Sequence, residues 1–378
     1  MLNWSIHGML GLSFSEIAIY LLVVTHITIV SVTVYLHRFS AHRSLLLNAP
    51  ISHFFRFWLW LTTGQVTREW TAVHRKHHAK CETTEDPHSP VRQGLTMILW
   101  EGVETYKSAI ADQETLRSYG RGCPDDWLER NLYRHNSLGI GLMLGINLFL
   151  FGVLGITILA IQMIWIPFFA AGIINGVGHC VGYRNFESPD ASRNIFPVGL
   201  LIGGEELHNN HHAYPTAAKF SLRPWEFDIG WMYIKVFGFL GLCKVKRLAP
   251  RPIIQNKQNT DSKLITHSIL QSKLAVITDF TQKVLKPIYK KENFNLSFKL
   301  LADHPNRLSE NQESIVKDLL AKNIKLSAVY SLKNKLHELL LSREIKHDNF
   351  IQILNKWSEE ARSHGLSLIH ISEPTRLR

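Results

Sequence analysis

Cysteine is scarce in this sequence, and its few residues are scattered. The chain of 378 residues contains four cysteines, Cys81, Cys123, Cys180 and Cys243, and no two of them form a CxxC pair. This spacing excludes a zinc ribbon and a disulfide framework. It is typical of reduced thiols in a protein that faces the cytoplasm.

Charged residues are also few, at 19% of the chain, and long uncharged runs alternate with basic stretches. This profile predicts a membrane protein with aqueous segments. The net charge of +11 is then the cytoplasmic excess of basic residues that flanks membrane spans, and not a surface for nucleic acid. The N-terminus lacks the basic start and cleavage site of a signal peptide, so the first apolar run is expected to remain in the mature chain.

Apolar runs predict three spans and one re-entrant element. Residues 17–36 carry no formal charge over a spanning length, and Arg38 and Arg43 follow, which orients the N-terminus outside. Residues 136–178 lack Asp, Glu, Lys and Arg and predict two helices joined by a turn near Gly152. Residues 51–66 are apolar but short, and they predict a re-entrant hairpin.

The composition changes after Pro250, and this divides the chain into parts. Residues 1–250 are predicted to form the membrane domain, in which 229–247 is either an interfacial helix or a buried one. Residues 251–365 are rich in Lys, Gln, Asn and Leu and predict a soluble helical extension in the cytoplasm. Residues 366–378 match no periodicity and are predicted to be a non-native tail.

Histidine is concentrated at spacings that suit one helix face. His74, His77 and His78 stand at i, i+3 and i+4 in HRKHH, an arrangement that places all three side by side. His208, His211 and His212 repeat this pattern in HNNHH, and Asn175 stands four residues before His179 in NGVGH. His37 and His42 are five residues apart, about 140° around an α-helix. They meet at one site only if the helix frays or the site has two centres.

A metal centre explains these clusters best. Three imidazoles on one face would repel each other if protonated, whereas a metal ion binds the neutral form. The nine histidines exceed the ligands of one ion and indicate two metals. Imidazole suits Zn, Cu, Fe and Ni, and a closed zinc site needs only four ligands. Glu205 with His208 has the Glu-x-x-His form of carboxylate di-iron sites, and Glu205 or Glu206 is expected to accept a hydrogen bond from a ligating histidine.

HRFSAH, HRKHH and HNNHH, in this order, resemble the three His boxes of the membrane fatty acid desaturases. ETTEDPHSP and GGEELHNNHHAYPTAAKFS resemble the bacterial relatives of the delta-9 acyl desaturases, over roughly residues 16–250. NGVGH resembles the element in which an Asn holds iron through water. The resemblance implies a role beside the ligands for Asp86, the water-mediated role for Asn175, and iron ligation by nine histidines: His37, His42, His74, His77, His78, His179, His208, His211 and His212.

The resemblance also implies an all-α membrane fold, a di-iron centre under a cytoplasmic helical cap, and an apolar tunnel for a saturated chain. O2 and two electrons would yield a cis double bond and water. The same motifs imply the delta-9 position. Animal acyl-CoA members carry Arg-Asp before the second box, where this chain has Ala72 and Val73. A phospholipid-bound acyl chain is therefore the favoured substrate and acyl-CoA the second.

No HPGG motif of a fused cytochrome b5 occurs, so an external donor is expected to supply the electrons. We predict an acidic ferredoxin or similar electron-transfer protein, which the basic face would attract. The enzyme is expected in the inner membrane with its active site facing the cytoplasm, and no nucleic acid is predicted as a partner.

Two other functions stay open. A membrane di-iron hydroxylase could use similar boxes, although alkane hydroxylases generally carry HExxxH as the first box and this chain has Arg38 after His37. A His-rich metal transporter or a bis-His haem protein is the alternative from another class. Transporters place their ligands within the spans, and here only His26 and His53 lie in apolar runs.

Overall fold

The structure is a computed structural model that describes residues 8–250, 269–270, 272–291, 296–342 and 347–366. In these ranges the chain is mainly helical, with four short strands. Two compact units are distinguished: Met1–Arg184 with Asp190–Ala249, and Asn185–Pro189 with Pro250–Arg378. The helical fold class is thereby confirmed.

The first unit contains ten α-helices in its described part. They are α1 (Phe14–Ser31), α2 (Ala49–Thr63), α3 (Thr67–Lys80), α4 (Pro90–Gln93), α5 (Leu95–Ala111), α6 (Gln113–Tyr119), α7 (Asn136–Phe151), α8 (Leu154–Ile166), α9 (His208–Ala213) and α10 (Ile229–Phe239). Three π-helical segments and one 3-10 turn join them: π1 (Val32–Ala41), π2 (Glu129–Tyr133), π3 (Pro167–Ile174) and Val177–His179. Strands β1 (Leu45–Leu47) and β4 (Cys243–Val245) pair antiparallel, and β2 (Val198–Gly199) and β3 (Phe227–Asp228) pair parallel.

Within the described residues, two helices are long and apolar enough to cross a membrane, Phe14–Ala41 and Leu154–His179. The first begins at a capping box, in which the Ser13 hydroxyl accepts from the Glu16 N–H and the Glu16 carboxylate accepts from the Ser13 N–H. The first of the two helices predicted within residues 136–178 is shorter than a full span. Helix α7 has 16 residues, about 24 Å at 1.5 Å per residue, and Gly152, near which the turn was predicted, ends it with φ +62°.

The re-entrant hairpin predicted within residues 51–66 is wrong. Helix α2 is continuous from its cap at Asn48, whose side chain accepts from the Ile51 N–H, to Gly64. The apolar run therefore forms one helix, and the chain turns only at Gly64. This residue has a left-handed φ of +63°, and a Cβ there would meet Ile140 Cδ1 at 2.8 Å. Glycine is favoured at such a position because it has no side chain.

Helix α10 covers only part of the segment predicted as helical over 229–247. The Asp228 side chain caps it by accepting from the Trp231 N–H, and the helix ends at Phe239. Ile229 and Ile234 are buried, while Phe239 is exposed. The remaining residues turn back into β4, which places the buried face of α10 against the core.

The main core of the first unit lies directly beside the His boxes. It combines buried side chains of α1, π1, α2 and α10 with neighbours from β1 and the loop before α10: Val30, Val34, Tyr35, Leu36, Leu45, Phe55, Leu59, Ala218 and Ile234. Apart from this core, His26 Nε2 lies 2.6 Å from Tyr233 Oη, as expected for a hydrogen-bonded packing residue. The tightly packed core fixes the backbone that carries the first His box.

The second unit is mainly helical in its described residues. Its elements are α11 (Lys273–Phe280), π4 (Thr281–Leu285), α12 (Lys286–Lys291), α13 (Lys299–Ala302), a 3-10 turn (Pro305–Arg307), α14 (Glu310–Ala321), α15 (Ile324–Leu341) and α16 (His347–Ser363). Helix α15 is central, since Leu326, Val329, Leu332 and Leu336 are all buried. The helical structure predicted for this part of the chain is confirmed. The predicted tail lies outside the described residues except for Leu366.

Candidate metal centre

The first His group gathers residues from all three boxes. Ligand nitrogens of His37, His42, His74, His78 and His211 all lie within 4.8 Å of one another. His37 and His42 meet because π1 is a π-helix, in which the His42 N–H donates to the His37 carbonyl. This i→i+5 hydrogen bond replaces the α-helical one. The five-residue spacing that was awkward for an α-helix therefore suits the helix that is present.

Helix α3 supplies histidines to both groups. His74 and His78, one turn apart, face the first group, and His77 faces the second. In the second group, nitrogens of His77, His179 and His212 lie within 4.8 Å of one another and of Cys81 Sγ. His208 joins them, since its Nε2 is 3.1 Å from His179 Nε2. The structure thus brings all nine predicted histidines into two neighbouring sets.

The nitrogen separations fit metal coordination. Two nitrogens that bind one ion at right angles, each about 2.0–2.1 Å from it, lie about 2.9 Å apart. The Nε2 atoms of His42 and His74 are 2.8 Å apart, and those of His78 and His211 are 2.9 Å apart. In the second group, His77 Nε2 and His212 Nε2 are buried without a hydrogen-bond partner among the described residues. These residues therefore fit a pair of metal ions.

Carboxylates hold the outer nitrogens of several of these histidines. Asp86 Oδ1 lies 2.9 Å from His77 Nδ1. Glu205 Oε1 lies 2.6 Å from His37 Nδ1, and its Oε2 lies 3.8 Å from His208 Nδ1. Such partners fix the tautomer and orient the ring toward the metal. The predicted positions of Asp86 and Glu205 beside the histidines match this geometry.

Glu206 is placed differently from the prediction. Its carboxylate accepts hydrogen bonds from the backbone N–H groups of Leu201, Ile202 and Gly204. These donors belong to the tight turn before the third box, so Glu206 stabilises that turn and does not orient a histidine. Because Glu205 and Glu206 are adjacent in sequence, the same role was predicted for either one, but their side chains point in different directions.

Two further carboxylates that contact the histidines were not predicted from the sequence. Asp190 Oδ2 lies 3.0 Å from His212 Nδ1, and Glu82 Oε1 lies 3.4 Å from His179 Nδ1. Glu82 has a left-handed φ of +63°, a strained conformation that is typical of functional positions. Neither residue lies within a His motif. The local signal for Glu82 was its position as the first residue of ETTEDPHSP, the segment that follows the second box.

Burial keeps most of these imidazoles neutral. Desolvation, followed by the charges of neighbouring histidines, lowers the pKa of His78, His74 and His211 well below the usual value. Burial also lowers the pKa of His77, but Asp86 outweighs this effect and raises it. The Asp86 pKa falls to about 2 although burial opposes the shift, because His77 and two backbone N–H groups stabilise the carboxylate. Neutral imidazoles are the form that binds metal.

Two arginines in the boxes hold the backbone. Arg38 is fully buried, donates through Nη2 to both oxygens of Asp228 at 2.9 and 3.0 Å, and stacks on the Phe220 ring at 3.8 Å. Arg75 donates to the carbonyls of Ser40 and Ala41 at the end of π1. The first box is thereby tied to the second box and to the loops around the third.

An apolar cavity adjoins the first group. His37, His74, Asn175 and Glu205 line one part of it. The rest is lined mainly by apolar side chains of α1, π1, α5 and π3, among them Ile29, Val32, Val103, Phe169 and Ile174. Asn175 ends π3, and its water-mediated role stays a prediction. A cavity of this composition suits a hydrocarbon chain, because it offers few hydrogen-bonding groups.

The chain resembles known desaturases over its first unit. Residues 15–242 match the family model described as "Fatty acid desaturase". The sn-1 stearoyl-lipid 9-desaturase of Synechocystis sp. is 31% identical over 230 residues, which are 60% of this chain and 70% of that protein. Delta-9 acyl-lipid desaturase 2 of Arabidopsis thaliana is 29% identical over 56% and 68%, and acyl-CoA 5-desaturase AL21 of Anemone leveillei is 31% identical over 55% and 64%.

A second match concerns the other end of the chain. Residues 262–372 match a model described as "Transposase", and this range lies outside the His boxes and the apolar cavity. The desaturase model covers more than half of the chain and includes all nine histidines. This chain belongs to the fatty acid desaturase family.

Proposed function

We propose that the protein introduces a cis double bond at the delta-9 position of a saturated acyl chain carried by a membrane lipid. Family membership supports desaturation, and similarity to a stearoyl-lipid 9-desaturase and an acyl-lipid delta-9 desaturase supports the position and the carrier. The observation that carries the proposal is the apolar cavity that adjoins the first His group.

Two iron ions are the proposed cofactors. His37, His42, His74, His78 and His211 would hold one ion; His77, His179, His208 and His212, with Asn175 through water, would hold the other. When bound, such a centre supplies the oxidising power to remove hydrogen from two adjacent CH2 groups with O2 and two electrons. Asp86, Glu205, Asp190 and Glu82 keep the ligand rings in their orientation.

The cavity is proposed to select the carbon that reacts. A CH2 chain has no polar group by which its carbons could be told apart, so the position of oxidation depends on how deeply the chain enters. Val32 and Val73 line the cavity close in sequence to His37 and His74. These side chains would exclude water and hold the reacting carbons beside the histidines.

The carrier proposal has a structural basis at Ala72 and Val73. Both side chains are buried, and Val73 lines the cavity, so this position contributes packing where acyl-CoA members carry a charged pair. Mass spectrometry of purified enzyme supplied separately with a stearoyl glycerolipid and stearoyl-CoA tests the carrier. Conversion of stearoyl-CoA alone would contradict the lipid proposal.

The proposed location is the inner membrane, with the metal centre under a helical cap on the cytoplasmic side. Its support is the two helices long enough to cross a membrane and the basic residues Arg38 and Arg43 after the first. Residues 1–250 would form the membrane domain and 251–365 a cytoplasmic extension. An acidic ferredoxin-type protein would deliver electrons on the cytoplasmic side, where Arg43 is exposed.

The test is fatty acid analysis of a desaturase-deficient host that expresses the full chain. We expect a cis delta-9 monoene with the native protein and none with His77→Ala. His53→Ala is the matched control, since His53 is exposed on α2, and it should retain the product. A hydroxylated product in place of the monoene would favour the hydroxylase, and no product from folded, metal-loaded protein would contradict both oxygenase functions.

A further inference from the structure

A thiol lies beside the second His group. Cys81 follows helix α3 directly, four residues after His77, so both side chains leave the same face of the last turn. Its Sγ lies within 4.8 Å of the ligand nitrogens of His77, His179 and His212. The three histidines were expected from the sequence, whereas nothing in the His motifs indicates the cysteine.

Two buried nitrogens next to this thiol have no partner of their own. His77 Nε2 and His212 Nε2 make no hydrogen bond to any described residue, and both side chains are only 1% exposed. Their Nδ1 atoms are held by Asp86 and Asp190. Burying a nitrogen without a hydrogen bond costs free energy. Both Nε2 lone pairs are therefore available to a metal ion beside Cys81.

The distances allow sulfur and nitrogen to share one ion. Metal–sulfur bonds of about 2.3 Å and metal–nitrogen bonds of about 2.0–2.1 Å place the two ligand atoms about 3.6 Å apart at a tetrahedral angle and about 4.4 Å apart across an octahedron. The ligand atoms of this group all lie within 4.8 Å of one another, a range that includes both separations. Thiolate is a strong ligand for first-row metals, including iron.

We propose that Cys81 is a thiolate ligand of the metal ion held by His77, His179, His208 and His212. On coordination the S–H bond breaks, the metal–sulfur bond forms, and the proton passes to solvent water, with no change in oxidation state. This inference rests on the proposed metal centre. It adds one sulfur donor to an otherwise nitrogen-rich set and makes the two metal positions chemically different.

X-ray absorption at the iron edge tests the proposal on the full chain loaded with iron. We expect a sulfur scatterer at about 2.3 Å in the native protein, lost in Cys81→Ser. Cys243→Ser is the matched control. Cys243 is also partly buried, but it lies on β4, where its Sγ donates to the Ile234 carbonyl at 3.3 Å, and its replacement should leave the sulfur signal intact.

Cobalt substitution gives a second readout that does not depend on activity. The native protein and Cys243→Ser should show a thiolate-to-cobalt charge-transfer band in the near ultraviolet, and Cys81→Ser should lack it. We also expect the dissociation constant for one of two ions to rise at least about tenfold in Cys81→Ser.

The outcomes separate the two proposals. Two bound ions with only nitrogen and oxygen neighbours would overturn the cysteine ligand and leave the metal centre in place. Folded native protein that binds no metal would overturn both. If Cys81→Ser fails to fold, the native spectrum decides, because absence of sulfur there overturns the ligand and its presence, unchanged in Cys243→Ser, supports it.

Discussion

At the scale of single residues, several imidazoles of the candidate site contact two different partners. One nitrogen faces the other histidines of its group and the other faces a carboxylate, as His77 does with Asp86 and His212 does with Asp190. The carboxylates lie in loops, outside the His boxes. The boxes therefore supply the candidate ligand atoms, and residues elsewhere orient several of them.

Asp190→Asn tests this division. The amide keeps the size of the side chain but removes the charge that fixes His212, so we expect one ion to bind about 10- to 100-fold more weakly. Equilibrium dialysis with analysis of bound metal measures the change. Asp125→Asn is the matched control, because the Asp125 side chain is 81% exposed. Equal affinities in the two variants would contradict the role of Asp190.

At the scale of elements, the structure uses helix type and helix ends to place side chains. The π-helical turn of π1 brings His37 and His42 together, and a buried arginine anchors the same segment to Asp228. Because Asp228 also caps α10, one carboxylate connects the first box to the helix that follows the third.

Asp228→Asn should weaken this connection. Removing one partner of a buried ion pair leaves an uncompensated charge and costs about 3–5 kcal/mol. We expect a large fall in thermal stability in detergent, together with loss of bound metal. Glu104→Gln is the control, since its pair with Lys107 is exposed and should change stability by less than about 1 kcal/mol. Similar melting temperatures for the two variants would contradict the anchor.

A buried lysine of α15 caps the C-terminal end of α13 in the second unit. Lys333 Nζ donates to the carbonyls of Leu301, Ala302 and Asp303 at 2.8, 3.2 and 2.9 Å. Burial lowers its pKa to about 8, whereas the unfolded value is near 10.4. Between these two pH values the unfolded chain binds more protons than the folded chain, so stability should rise with pH through this window.

Hydrogen exchange of peptides from residues 299–341 checks this expectation on the full chain. After correction for intrinsic exchange rates, protection should increase from pH 8 to pH 10, by up to about 3 kcal/mol. Lys333→Met should abolish the pH dependence and lower the protection, because the three carbonyls lose their donor. Lys325→Met, at an exposed position, should retain it. A flat profile in the native protein would contradict the shift.

At the scale of the whole molecule, the two units are interleaved in sequence. Asn185–Pro189 belongs to the second unit although residues on both sides belong to the first. Phe186 and Ser188 are buried there, and the Glu187 N–H donates to Thr278 Oγ1 at 3.0 Å. This short segment directly precedes Asp190, which contacts His212.

Truncation after Ala249 should therefore alter residues inside the desaturase portion. Without its helical partners Phe186 loses its cover, and we expect limited proteolysis to cleave near residues 185–189 at least about tenfold faster. Mass spectrometry identifies the cleavage site. Truncation after Gly365 is the control and should leave the rate unchanged. Equal cleavage in both truncated proteins would contradict a role of the extension in covering this segment.

The sequence predicted the helical class and the histidines that the structure brings together. These features depend on local spacing, as in HRKHH, where i, i+3 and i+4 already define one face. The π-helical form of π1 was not predicted, because the extra residue per turn is stabilised by packing and by Arg75, which lies in the second box. Asp190 and Glu82 were missed because only tertiary contacts bring them to the histidines. Cys81 was missed because it lies outside the His motif, although it stands four residues after His77.

The Arg38 anchor also limits which substitutions the surrounding chain can tolerate. A methyl group added at Gly204 would collide with the Asp228 carboxylate, and one added at Gly230 would lie 2.5 Å from Arg38 Nη1. Neither glycine lies in a His box, and neither is a candidate ligand. Glycine-to-alanine changes at these two positions should nevertheless have the same effect as changes of the candidate ligands themselves. A mutational screen would therefore find sensitive positions well outside the His boxes.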